Sequence, residues 1–128
     1  MACTRVVYLG EEQQIITARS MDWKMDLGTN LWALPRGVKR QGQAGANSLS
    51  WESRYGSLVA TGYDIATTDG LNEKGLAVNL LWLVESEYPT FTPESKPGLN
   101  ISLWAQYMLD SFASVDEAVK ALEKEPFT

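Results

Sequence analysis

The chain has 128 residues, 45% hydrophobic and 21% charged, which is enough for one domain with a core and too short for two. Its net charge of −5 disfavours non-specific attraction to nucleic acid or to an anionic membrane. A single cysteine excludes an internal disulfide, and with no histidine beside it a structural zinc site built from this chain alone is disfavoured, so no metal is expected.

The opening, MACTRVVYLG, places that one thiol at Cys3. No charged n-region, apolar h-region and cleavage site precede it, so no targeting segment is present as given. A leader removed ahead of Ala2 would put the protein in the periplasm or outside the cell; otherwise it is cytoplasmic. RVVYL and IITARSM are short β-branched runs separated by GEEQQ, which reads as a hairpin. NLWAL, the stretch around SLSWESRYG, and LVATGYDIATT read as further short strands. Between them, PRGVKRQG gathers Arg36, Lys39 and Arg40 beside Pro35 and Gly37, and reads as a solvated loop. DGLNEKG is a turn signal that brackets Asn72. It leads into LAVNLLWL, apolar on both faces and so expected as a strand buried on both sides; the run is far below the ~20 residues of a spanning helix.

The character changes after Tyr88. PTFTPESKPGLN, with three prolines, is a loop. ISLWAQYMLDSF has Ile101, Trp104, Ala105, Met108, Leu109 and Phe112 at helical spacing. SVDEAVKALEKE begins with a capping box, Ser114 and Glu117, and carries a stripe of Val115, Ala118, Val119 and Leu122. Strands first and helices second predict an α+β fold with the helices on one face of an antiparallel sheet. One helical hairpin covers only one face of LAVNLLWL, and the chain stops at EPFT, where a new strand could start. The expectation is a part of a fold.

A cysteine nucleophile commonly relies on a histidine base, and this chain has none. An N-terminal cysteine supplies its own: a free α-amine has a pKa of ~7.7–8.0 and adjoins the thiol it must activate. That requires removal of Met1 and Ala2, because the nitrogen of Cys3 is otherwise an amide. In ITARSMDW, Arg19 supplies a guanidinium that favours a thiolate and Asp22 a carboxylate that can hold the amine. Residues three apart point to opposite faces of a strand, so the strand must bulge or end between them.

ACTR, TARSMDW, DLGTNLWALPRG and DGLNEKGLAVNLLWL, in that order, resemble the choloylglycine hydrolase family. Its members, penicillin V acylases and bile salt hydrolases, are cysteine N-terminal nucleophile hydrolases. The wording is closer to the Gram-negative penicillin-acylase branch. The resemblance implies a four-layer αββα sandwich, of which residues 1–128 form the N-terminal portion of a single domain. It implies hydrolysis of linear amides through an acyl-cysteine intermediate without a cofactor. Carried over by position, Cys3 is the nucleophile, Arg19 the guanidinium beside it, and Asp22 the carboxylate that positions the amine. The family's oxyanion position falls on Trp82, where bile salt hydrolases have asparagine, which weighs against bile salts. Two further family residues, an asparagine and a second arginine, belong to a C-terminal half that this sequence lacks, so residues 1–128 alone are expected to be inactive.

Trp23, beside Asp22, and Trp82 are read as substrate-binding; the tryptophans at 32, 51 and 104 are read as core. They suggest a small-molecule amide with an apolar or aromatic acyl group, such as the phenoxyacetyl of penicillin V or an N-acyl homoserine lactone chain. No nucleic-acid or membrane partner is expected, and the resemblance implies a homotetramer. The rival reading is a non-catalytic, Trp-rich β module in which Cys3 is incidental.

Overall fold

A computed structural model describes residues 3–88, 90–92 and 96–128. Met1 and Ala2, ahead of the thiol, and parts of the proline-rich loop therefore lie outside the described residues. The fold is α+β. Strands β1 (Thr4–Leu9) and β2 (Ile15–Ser20) form the predicted hairpin, in register Arg5↔Arg19, around a single 3-10 turn in which Glu12 and Gln13 adopt positive φ. A four-stranded antiparallel sheet follows, in the order β3 (Asn30–Leu34), β6 (Ser57–Gly62), β7 (Ala66–Asn72), β8 (Ala77–Asn79). A small ribbon joins β4 (Lys39–Gln41) to β5 (Ser50–Glu52), and the helices are α1 (Ile101–Ser111) and α2 (Val115–Leu122).

Strand alternation sorts the central sheet into two faces. Ser57, Val59, Gly70 and Asn72 face α1: a Cβ on Gly70 would meet Leu109 and Val59, and the Asn72 amide donates to the carbonyls of Leu109 and Phe112 at 2.9 and 2.8 Å. This face holds the core, with Val59, Ala105, Met108 and Leu109 almost fully buried. Leu31, Leu58, Asp69 and Leu71 lie on the other face, onto which the β1–β2 hairpin folds at the Asp69 end. Helix, sheet and hairpin stack as α–β–β, three layers of the expected αββα sandwich.

Helix α1 starts where Asn100 accepts the Ser102 amide at 3.0 Å. Its buried face carries Gln106 and Asp110, which the apolar periodicity did not reveal, while Ile101 is 47% exposed and Trp104 is half-buried rather than core. Ser114 caps α2 as predicted, accepting from Glu117 N at 3.2 Å. The Glu117 carboxylate, however, takes the N–H of Ala113, one residue before the cap. The expected stripe on α2 is largely open: Val115 and Val119 are exposed, and Val115 borders the same groove as Leu58 and Leu71.

Several expectations are corrected. LVATGYDIATT is a hairpin rather than one strand. Tyr63 and Asp64, at φ 55° and 52°, make a turn with both central residues left-handed, the geometry that matches strand twist. The Asp64 carboxylate holds it by accepting from Asn30, Trp32 and Thr61. DGLNEKG is a turn only from Asn72 onward; Asp69 and Gly70 belong to β7. LAVNLLWL is not a long strand buried on both sides. Strand β8 is an edge strand that ends at Asn79, and Leu81, Trp82 and Leu83 are exposed. One more ladder bond forms, Leu80 N to Thr68 O at 2.7 Å, after which the Leu80 carbonyl turns to the Arg19 side chain. PRGVKRQG is not simply a solvated loop, because Lys39–Gln41 is a strand and Arg40 pairs with the buried Asp110.

Candidate active site

Cys3 immediately precedes β1 and is half-buried. It lies two residues before Arg5, and Arg5 pairs with Arg19, so alternation points Cys3, Arg5, Thr17 and Arg19 to one side of the hairpin. That side meets β7 and β8. There Arg5 Nε donates to Thr17 Oγ1 at 3.1 Å, Thr17 donates to Asn79 Oδ1 at 3.4 Å, and Asn79 Nδ2 donates to Asp69 Oδ1 at 2.7 Å. The Arg19 guanidinium closes the chain: Nη2 donates to the Leu80 carbonyl, and Nη1 lies 3.4 Å from Asp69 Oδ2. Only 9% of the Arg19 side chain is exposed, and its Nε and Nη1 have no hydrogen-bond partner among the described residues.

Cys3, Trp23 and Trp82 share one cavity of about 380 Å³, whose walls also include Leu27, Tyr63 and Ile101. The two indoles meet edge to face with ring centroids 5.5 Å apart. Both are partly exposed, at 40% and 45%, which places them on a wall rather than in the core. Of the remaining tryptophans, Trp32 is exposed and Trp51 half-buried, each donating its indole N–H to a carboxylate, Asp64 and Asp110 respectively. They are anchors with a polar tip rather than core residues.

Of the five predicted site residues, the structure gathers the thiol and both tryptophans into the cavity and places Arg19 behind its wall, at Leu80, which lines it. Strand β2 ends at Ser20, between Arg19 and Asp22, as the spacing required. Asp22 is exposed and has no hydrogen bond or ion pair among the described residues. The amine it was expected to hold would belong to Cys3 only once Met1 and Ala2 are gone. Asp69 and Asn79 were missed as site residues. Their signal was polarity in apolar strands: a carboxylate inside ATTDGLN and an amide interrupting LAVNLLWL, each requiring a partner if covered. Among the described residues no acidic, cysteine or histidine cluster could hold a metal ion, and no helix is long and apolar enough to cross a membrane.

A family profile described as linear amide C–N hydrolases, choloylglycine hydrolase family, matches residues 3–126. The penicillin V acylase of Pectobacterium atrosepticum is 56% identical over 135 aligned residues, covering 99% of this chain and 36% of that protein. The solved penicillin V acylase of Agrobacterium tumefaciens is 63% identical and superposes with a TM-score of 0.92, over 96% of this chain and 38% of its own. A mutant conjugated bile acid hydrolase from Clostridium perfringens, 24% identical with a TM-score of 0.75, shares the fold. The chain thus spans little more than a third of the length of the relatives it matches.

Proposed function

The chain belongs to the choloylglycine hydrolase family of linear amide C–N hydrolases, and from that premise we propose that it is the N-terminal portion of a penicillin V acylase-like cysteine amidohydrolase. The observation that carries the reading is the shared cavity: the only thiol opens onto the paired rings of Trp23 and Trp82, with a buried guanidinium behind it. Identity of 56% and 63% to two penicillin V acylases supports that branch, whereas the likeness to the bile acid hydrolase is one of fold.

In the proposed reaction Met1 and Ala2 are removed, and the freed amine of Cys3 takes the thiol proton. Sulfur attacks the amide carbonyl, forming a C–S bond. The tetrahedral oxyanion collapses, the C–N bond breaks, and the amine passes the proton to the leaving nitrogen. Water then cleaves the thioester, releasing the carboxylic acid and restoring the thiol. Asp22 holds the amine, and Trp23 and Trp82 receive an aromatic or apolar acyl group, phenoxyacetyl or the chain of an N-acyl homoserine lactone. No organic cofactor enters these steps. The assembly is a homotetramer, to be checked by sedimentation.

The experiment is penicillin V hydrolysis by the full-length protein, with intact-mass measurement of the same sample. Activity with a chain beginning at Cys3, and its loss in Cys3→Ser, is the expected result. Active protein that retains Met1 or Ala2 would overturn the amine-as-base mechanism, and full activity in Cys3→Ser would end the nucleophile assignment.

A further inference from the structure

We propose that Asp69 is a positioning residue for this site: together with Asn79 it fixes the plane of the Arg19 guanidinium, and so directs its unpartnered N–H edge toward the side of the hairpin that carries Cys3. The inference rests on the assignment of Cys3 as nucleophile and goes beyond it to a residue on a different strand.

An arginine side chain has many rotamers, and its planar fork acts directionally only when at least two points hold it. Here one point is the Leu80 carbonyl, which accepts from Nη2. The second is Asp69, 3.4 Å from Nη1. Asp69 is itself held, since its other oxygen accepts from Asn79 Nδ2 at 2.7 Å, and Asn79 Oδ1 accepts from Thr17 at 3.4 Å. The guanidinium is thus held by one hydrogen bond, to a strand-end carbonyl, and by one ion-pair contact, to an oriented carboxylate, while Nε and Nη1 make no hydrogen bond among the described residues. A buried donor without a partner is rare and calls for an explanation, which a group received at that edge supplies.

The charges near this group are few. Arg5 on β1 and Lys74 after β7 share the groove with Arg19 and Asp69, and β8 contributes none. The described walls of the cavity lined by Cys3 hold no Asp, Glu, Lys or Arg; the further titratable groups are the phenols of Tyr63 and Tyr88 and, in the matured chain, the α-amine of Cys3 itself, which is common to wild type and variants. Asp22 lies just past the end of β2. Besides the α-amine that Cys3 itself carries once Met1 and Ala2 are removed, Arg19 is the charged group that the sheet ties to a wall of that cavity, at Leu80.

A merely charge-neutralising role and a positioning role predict opposite signs. Removing a carboxylate near a thiol, with Arg19 unmoved, favours the thiolate. Releasing Arg19 from its plane disfavours it. The test is the pH dependence of iodoacetamide alkylation of Cys3 in the full-length protein, for wild type, Asp69→Asn, Asp69→Glu and Asn79→Ala, with thermal melts alongside. Alkylation needs no amide substrate, so it reads the positioning even where the proposed hydrolysis fails. The midpoint of alkylation should move to higher pH in Asp69→Asn, lowering the alkylation rate at neutral pH by about 3–10-fold. Asp69→Glu should recover part of the loss. Should Asp69→Asn not fold, Asn79→Ala, which leaves the ion pair but frees the carboxylate, should move the midpoint the same way by less. In the penicillin V assay, kcat should fall in Asp69→Asn with KM little changed. A midpoint that stays or moves to lower pH in both variants overturns the proposal.

Discussion

The indole rings of Trp23 and Trp82 meet edge to face, their centroids 5.5 Å apart and their planes at 81°, although 59 positions of chain separate them. One follows the end of β2 and the other lies beyond the end of β8, so the contact joins two segments of the cavity wall that lie past the ends of their strands. An edge-to-face pair contributes about 0.5–1.5 kcal/mol beyond area burial. Replacing either ring by alanine should therefore cost about 2–10-fold in kcat/KM for an aromatic acyl substrate. The melting temperature should change little, because both rings are already 40–45% exposed. Kinetics and thermal melts on the same samples check this; a variant that fails to fold would return the two tryptophans to the core.

The same pair shows how far the sequence could be read. Trp23 reads as substrate-binding from its place beside Asp22 and Trp82 from the family's oxyanion position after NEKGL, and the structure brings both rings to one cavity with Cys3. Cys3, Arg19 and Asp22 read as catalytic from the chemistry of a chain without histidine and from the resemblance. Hairpins with a local signal were legible: β1–β2 is as predicted. The β6–β7 hairpin was not, because its turn places Tyr63, not a usual left-handed residue, ahead of Asp64, and is held by donors from β3 that are distant in sequence. Asp69 read as a turn residue for the same reason: its partners Arg19 and Asn79 come from other strands, and no local pattern reports a tertiary ion pair.

Glu73 makes stability depend on acid. Its carboxylate accepts from Arg36 through both oxygens and from Gly56 N at 2.8 Å, and these bonds, that to Arg36 foremost, hold it at about 2, below its ordinary 4.5. A carboxyl whose folded value is depressed stabilises the fold above its unfolded value and loses that contribution as pH falls through the folded one. The contribution is then complete above about pH 4.5 and fades toward about pH 2. Urea midpoints measured down this range should fall more steeply for the native protein than for Arg36→Gln, the two curves converging at the acid end. Parallel curves would remove Arg36 as the cause.

Gly70 sets how closely α1 approaches the sheet. A Cβ there would lie 2.4 Å from Leu109 Cδ1 and 2.9 Å from Val59 Cγ1, both in the core. Gly70→Ala should destabilise by about 1–3 kcal/mol, the usual cost of overpacking. Leu109→Ala in the same chain should relieve part of the strain, so the double variant should lose less than the sum of the singles in thermal melts. Strict additivity would place the strain elsewhere.

Asp110 joins three parts of the fold. It is fully buried on α1, and its oxygens accept from Arg40 Nε, Trp51 Nε1 and Gln106 Nε2, each at 2.8 Å. Gln106 continues the network by accepting from Thr67 at 2.8 Å, so one carboxylate ties the β4–β5 ribbon, the helix and the central sheet together. The loss is asymmetric. Asp110→Ala strands a guanidinium that is 19% exposed, with two further donors, and breaking a buried pair from one side costs about 3–5 kcal/mol. Arg40→Met should cost less, because Asp110 keeps the donors from Trp51 and Gln106. Asp110→Asn combined with Arg40→Met should recover stability relative to Asp110→Ala, since the amide oxygen still accepts and no cation is left unpaired. Urea unfolding of the three variants tests the ordering. Equal losses from Arg40→Met and Asp110→Ala would show that the ion pair alone, and not the shared carboxylate, holds the ribbon to the helix.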